Sequence, residues 1–348
     1  MRTFTDLETR ILKRIQRDIN ISETPFSELS NDLSIEEDEL IAVIQRLKDD
    51  NIIRDISAIF NAGALGYEST LVAFEVEDYL VDRSAGIIND HPGVSHNYLR
   101  RHKYNIWFTI AVIKDSSLEK TVAALAEKCK AKDYLILKNE KLFKIRLMLD
   151  PSERMEYNKR GETEEVFEHQ SITSFNNIRE ITPEERNAVN ILQIDLPLVK
   201  RPFKYLINSK NIDIKEERIP EIAEIFKKDG IIRRYSAILK HHNVGYNYNA
   251  MTAWKIKDFG HSAIQDIFAT VPNISHLYLR TVYPGRWEYP LFAMIHAKSR
   301  EELITIIKGL EQKSGIDDYL VLDSIQEFKK KRVAYFSKEF NEWESLNL

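Results

Sequence analysis

Apolar residues recur at helical spacing near the start of the chain. Leu7, Ile11, Leu12 and Ile15 form one stripe, and Phe26, Leu29 and Leu33 a shorter second one. Ser34-Ile35-Glu36-Glu37 has the form of a capping box, in which Ser34 would accept from the Glu37 backbone. It predicts a third helix carrying Leu40, Ile41, Ile44 and Leu47 inward. Ile52-Ile53-Arg54 then enters a strand, so the segment reads as a winged helix-turn-helix. From there the period changes to two. Strands are expected near 57–76, 94–101, 106–113 and 134–149, with helices near 82–90 and 117–130. That order is ferredoxin-like (βαββαβ), with both helices on one face of an antiparallel sheet.

The pattern then repeats. Val189, Ile191 and Leu192, then Pro202-Phe203, then a third helix begun at Asp213 with Glu216 at the capping position restate the helical unit. Pro220 would fall inside that third helix and cost it about 3 kcal/mol. Strands near 235–256, 274–281, 291–296 and 319–335 restate the sheet. Ile52-Ile53-Arg54 matches Ile231-Ile232-Arg233, Ser57-Ala58-Ile59 matches Ser236-Ala237-Ile238, and Asp133-Tyr134-Leu135 matches Asp318-Tyr319-Leu320. Ordered agreement at an offset of ~180 residues identifies a fused tandem duplication. The fold class is therefore α+β, a tandem repeat of winged helix-turn-helix plus ferredoxin-like antiparallel-sheet domain. The expected domains are 1–55 and 56–150, a polar, charged linker at 151–180 long enough for the two sheets to pack together, then 181–234 and 235–340.

Composition narrows the setting. At 348 residues, each copy is long enough to bury its own core. One cysteine, Cys129, excludes an internal disulfide, and no apolar run suggests a secretory leader or a membrane span, so a cytoplasmic protein without a membrane partner is expected. A net charge of -4 argues against a nucleic-acid partner.

The most unusual phrase is written twice: Ser95-His96-Asn97-Tyr98-Leu99-Arg100 and Ser275-His276-Leu277-Tyr278-Leu279-Arg280, each with a proline three residues upstream. Period-two alternation puts His96, Tyr98 and Arg100 on one face and Asn97 and Leu99 on the other. Imidazole, phenol and guanidinium on one face suggest a site for an anionic, aromatic ligand. The second copy is richer: Arg233, Arg234, Arg280 and Arg286 accompany His241, His242, His276 and His296, with Trp254, Trp287, Tyr278 and Tyr289. Planar guanidinium forks bind carboxylates through both oxygens, aromatic rings make flat walls, and imidazoles ligate iron or move protons near neutral pH. A carboxylate-fringed metallo-macrocycle would use all three. Trp254 reads as core, Met251 as core or pocket lining, and His242 as a solvated neighbour of His241. His276, Arg280, Arg286 and His241 have the least structural excuse. No zinc spacing, glycine-rich phosphate loop or Gly-x-Ser-x-Gly elbow occurs.

A winged helix-turn-helix followed by a ferredoxin-like domain resembles the leucine-responsive (Lrp/AsnC) transcription regulators. Glu36, Glu37, Asp38 and Glu39 crowd the third helix where a DNA reader would approach phosphates, and Glu216, Glu217, Glu221 and Glu224 compete with Lys215 and Arg218 in the other copy. A regulator sensing a tetrapyrrole or other small ligand is the alternative reading.

The chain also resembles the siroheme decarboxylases, with both subunits fused. Ala58-Ile59-Phe60-Asn61, Gly66-Tyr67, 69–74, 91–102 and 105–109 are similar to one subunit. Arg233-Arg234-Tyr235, the His241 segment through Gly245-Tyr246, Asn249-Ala250-Met251, Arg286-Trp287, Tyr289 and His296 are similar to the other. The resemblance implies removal of two acetate carboxyl groups from siroheme, giving didecarboxysiroheme and carbon dioxide on a route to heme or d-type heme. It implies a sheet-lined pocket between the ferredoxin-like domains, no cofactor beyond the substrate's iron, and two essential histidines. Those are taken as His241 and His276, either of which could ligate that iron. Substrate contacts are expected from Arg233, Arg234, Tyr235, Asn249, Met251, Tyr278, Arg280, Arg286, Trp287, Tyr289, His296, His96, Arg100 and Arg101. The first copy has Asp55 in place of Arg234 and Ala62 in place of His241, which puts the productive pocket in the second. Arg280 and Arg286 would hold non-reacting carboxylates, while an imidazolium protonates the methylene left by carbon dioxide. The partner is then siroheme, and a homodimer is left open.

Overall fold

The computed structural model describes residues 4–114, 117–145, 179–240, 248–256 and 261–348. Most of the expected linker, and His241, lie outside them. In the first copy the elements are α1 (Asp6–Ile15), α2 (Pro25–Leu33), α3 (Glu37–Asp49), β1 (Ile53–Phe60), β2 (Tyr67–Glu75), α4 (Val81–Asn89), β3 (Val94–Arg100), β4 (Ile106–Ile113), α5 (Leu118–Cys129), β5 (Asp133–Leu137) and β6 (Asn139–Ile145). The second copy has α6 (Pro183–Leu192), α7 (Pro202–Lys210), α8 (Arg218–Lys228), β7 (Ile232–Leu239), β8 (Tyr248–Trp254), α9 (His261–Ile264), β9 (Ile274–Arg280), β10 (Leu291–Ala297), α10 (Arg300–Ser314), β11 (Tyr319–Lys330) and a closing helix, α11 (Lys338–Asn347). No helix among the described residues is long and apolar enough to cross a membrane.

The chain divides into two compact units. One holds the helical bundles of both copies together with β1 and β7, which pair antiparallel with each other, Ser57 opposite Ser236. The expected boundaries at 55/56 and 234/235 therefore cut through these strands. Each belongs with its helices because its hydrogen-bonding edge is taken by the other copy. Two reciprocal clamps fix the pair. Asp195 accepts from Lys48 Nζ (2.7 Å) and the Ile56 amide (2.8 Å), and Asp18 accepts from Lys227 Nζ (2.6 Å) and the Tyr235 amide (2.8 Å).

Helix starts differ from expectation in an instructive way. Ser34 ends α2 in the left-handed conformation (φ 55°) and makes no cap, and α3 begins from Glu36. The side-chain boxes that do form are Thr5 with Glu8 and Thr182 with Glu185. In the second copy α8 starts at Arg218, not Asp213, because Glu216 is turned to the Arg201 guanidinium (2.7 Å). Pro220 thus sits in the first turn, where its missing N–H has no helical partner to lose, and the expected penalty disappears.

The second unit holds one continuous sheet in the order β5-β2-β4-β3-β11-β8-β10-β9-β6. Within it β5-β2-β4-β3 and β11-β8-β10-β9 are each the ferredoxin-like order, so the two sheets are joined by strands that pass from one to the other. β11 pairs with β8 through Tyr319–Asp323 and then with β3 through Ser324–Lys330, slipping register where it crosses. The first copy answers with β5 on β2 and β6 on β9, separated by Lys138 alone. The long strand expected at 134–149 is thus two strands serving different sheets. Helices cover the outer faces over cores such as Phe74, Phe108, Val122 and Leu125 in one copy and Trp254, Phe268, Leu291 and Leu310 in the other. A third cluster mixes the copies: Ala73, Trp107, Leu135 and Leu137 with Ala253, Trp287, Phe292 and Leu322. The two sheets therefore face each other across a shared interior.

Candidate active site

β9 carries the repeated phrase into that interior. Its outward residues Ile274 and Leu277 enter the helix-covered core, while Tyr278 packs on the mixed cluster. His276 and Tyr278 lie with rings near parallel (18°, centroids 6.1 Å apart), and the Arg280 guanidinium sits 4.7 Å from the Tyr278 ring centre. A slip in the β9–β10 register skips Ser275, so two β9 residues occupy the space of one. Such bulges re-aim side chains. This one brings Ser275 Oγ within 2.8 Å of His276 Nδ1 and 2.7 Å of His296 Nε2. His296, buried on β10, is held in turn at Nδ1 by Asn249 Oδ1 of β8.

Arg280 donates from Nη1 to the Leu137 carbonyl (2.8 Å), at the corner where β5 gives way to β6. Its Nε has no hydrogen-bond partner among the described residues. Burial pulls its pKa down to about 10, the Tyr278 phenol opposes this, and among the described residues no carboxylate acts on it. The side chain stays a cation at neutral pH, desolvated and without a counter-charge. That is costly unless an anion arrives.

His276 is pushed down to about 4 by burial and by Arg280. It is a neutral imidazole at pH 7, so the protonating imidazolium expected there is not its resting form. His91, outside this site, is pushed down to about 3 by burial and Lys329. Both values lie below the ordinary 6.5, so as pH falls the unfolded chain takes up these protons first. The stability they contribute is complete above pH 6.5 and is lost as pH drops toward 4. The urea midpoint should fall across that window, with a shallower slope in His276→Gln.

The first copy repeats the ladder with different surroundings. His96 and Tyr98 rings are again near parallel (24°), Arg100 lies 5.3 Å from the Tyr98 ring centre, and Arg100 Nη1 donates to Leu322 of the crossing strand β11 (2.6 Å). Ser95 is bulged in the same way and lies 3.0 Å from His96 Nδ1. Here, however, Asp323 opposes the desolvation of Arg100, and the Tyr98 hydroxyl donates to Glu327 (3.1 Å). Leu142 stands opposite Tyr278 at the place Glu327 takes opposite Tyr98. A carboxylate ligand would meet repulsion in one copy and an unanswered cation in the other.

The remaining expected contacts fall in several places. Met251 packs on the mixed interior cluster, paired in register with Met294, itself opposite His276. Trp287 is buried against Trp107 and Phe292, and donates from its indole to the Tyr289 carbonyl (2.9 Å), while the Tyr289 hydroxyl donates to Asp318 (2.9 Å). Arg286 has its fork on Asp133 and the Tyr134 carbonyl (2.7 Å), a cross-copy tie that already satisfies its charge. Arg101 is exposed. Arg233, exposed, Arg234, partly buried, and Tyr235, fully buried against Phe203, lie on β7 in the helical unit. Ser275 and the Leu137 carbonyl were missed from sequence. The serine's recurrence beside each histidine was the available signal.

Against known proteins, an AsnC-like ligand-binding domain matches residues 64–144 and 243–329, and a siroheme decarboxylase NirDL-like helix-turn-helix domain matches 8–54 and 185–233. A siroheme decarboxylase of Hydrogenobacter thermophilus is 38% identical over 335 residues, 96% of each chain. The chain belongs to the siroheme decarboxylase family. Crystal structures of the siroheme decarboxylase NirDL, alone and with an iron-uroporphyrin III analogue, superpose with TM-scores of 0.75 and 0.74 at 34% identity, over 98% of each chain. The family assignment accounts for the α+β tandem architecture, which the internal repeat also anticipated.

Proposed function

We propose that the protein decarboxylates siroheme, removing two acetate carboxyl groups as carbon dioxide, with the second copy's β9 face as the working surface. Arg280 carries this reading: a desolvated guanidinium with an open Nε and no carboxylate partner calls for an acidic ligand. The family's named activity and the iron-uroporphyrin analogue bound by a 34% identical relative supply the ligand class. Breaking each acetate C–C bond leaves its electron pair on the ring-attached methylene, where conjugation spreads it. One proton then completes a methyl group, so each step consumes one proton and no net electrons.

His276, neutral and with its ring near parallel to that of Tyr278, is the side chain placed to accept a proton or contact the pigment. His241, outside the described residues, is the candidate donor. Arg280 grips a carboxylate that stays, since clamping the leaving one would hold back reaction. A DNA-binding role finds little support: Lys200 pairs with Asp38, Arg201 with Glu23 and Glu216, and Arg218 with Glu184 and Glu221, which leaves these cations committed to protein carboxylates. Anaerobic incubation with siroheme followed by mass spectrometry should show loss of two carbon dioxide units. Pigment recovered unchanged would reject the proposal.

A further inference from the structure

The hydrogen-bond chain behind His276 has a direction. Asn249 Oδ1 can only accept, so the His296 nitrogen facing it, Nδ1, carries the hydrogen. In a neutral His296 that leaves Nε2 as a lone pair, so the 2.7 Å contact with Ser275 Oγ must carry the serine's hydrogen. With its hydrogen given to His296, Ser275 Oγ offers lone pairs to His276 Nδ1 at 2.8 Å, which must then be protonated. A neutral imidazole holding its hydrogen on Nδ1 presents a bare Nε2. Among the described residues the hydrogen bond to the His276 ring is at Nδ1.

We infer that Asn249, His296 and Ser275 are positioning residues that fix His276 in the Nδ1–H tautomer and keep its Nε2 lone pair directed into the site. Asn249 and His296, both among the residues expected to touch substrate, act through Ser275. The first copy supplies an internal control. Register pairing puts Ala111 where His296 stands and Ser69 where Asn249 stands, so the first copy has no imidazole and no amide at those two positions behind Ser95. The Asn–His–Ser relay therefore belongs to the second copy's phrase. The kinetic part of this inference rests on the decarboxylase reading, while the tautomer itself does not.

The test has two arms. In substrate-free protein, 15N NMR of the imidazole rings should show His276 with a protonated Nδ1 and a lone-pair Nε2, and Ser275→Ala should shift that ring toward the opposite tautomer. Ser275→Thr, which keeps the hydroxyl, should restore the wild-type pattern. Asn249→Asp, an obligate acceptor of the same shape, should preserve it, whereas a chain running the other way would be disrupted by that change. With siroheme, Ser275→Ala should lower kcat by about 10–100-fold with KM within about twofold, and Ser275→Thr should recover it. Ser95→Ala should leave turnover at the wild-type level. A His276 ring protonated on Nε2 in the wild type, or a tautomer indifferent to Ser275→Ala, overturns the inference even if decarboxylation is confirmed. Absence of turnover in every protein would instead count against the decarboxylase reading and leave the NMR result standing.

Discussion

Arg280→Met should bind siroheme on the order of 100-fold more weakly while unfolding at the same or a higher urea concentration. Truncating one partner of a desolvated, hydrogen-bonded charge pair costs about 2–5 kcal/mol of binding, and about 3 kcal/mol is roughly 150-fold in Kd. The opposite sign for stability follows because no carboxylate among the described residues answers this cation. Replacing an unmatched buried charge by an apolar side chain of similar length is neutral or favourable to folding. Arg280→Lys keeps the charge but not the planar fork, and should recover only part of the affinity. Absorbance titration with siroheme and urea denaturation on the same preparations read both effects. An unchanged affinity, or affinity and stability falling together, would remove Arg280 from the ligand site.

His276→Ala should reduce carbon dioxide release by at least about 100-fold, the lower range for one positioned proton-transfer group, while the pigment still binds. Binding should survive because Arg280 and Tyr278, the groups proposed to hold the ligand's charge and ring, are left in place on the same strand. Added imidazole should restore part of the rate by filling the space vacated. Full turnover by the variant would show that the chemistry runs elsewhere.

The strand that carries these residues was readable because its alternation is strict: His276, Tyr278 and Arg280 could not share a face with Leu277 and Leu279. The duplication was equally plain, since it is written in residue identities. Capping was read less well. Ser34 has the right neighbours for a box, but α2 ends on it in a left-handed turn, and a residue cannot hold both conformations. Tertiary pairing was invisible for a different reason. Nothing local in β11 says that its second half must leave β8 for β3, nor in β1 that its partner is β7 of the other copy. The Arg286–Asp133 tie was equally invisible, because the two residues come from distant segments.

The crossing strands have a consequence for how such a chain can diverge. Without β11, β3 would present a bare edge, and without β6 so would β9, each an invitation to aggregate. Neither repeat is complete alone, and fusion ensures that every first repeat meets a second one in equal number. A lineage built this way is freed from keeping its halves interchangeable. The two faces already differ: Ala111 stands where the other repeat has His296, and Glu327, from the second repeat's own crossing strand, sits on the first repeat's Tyr98.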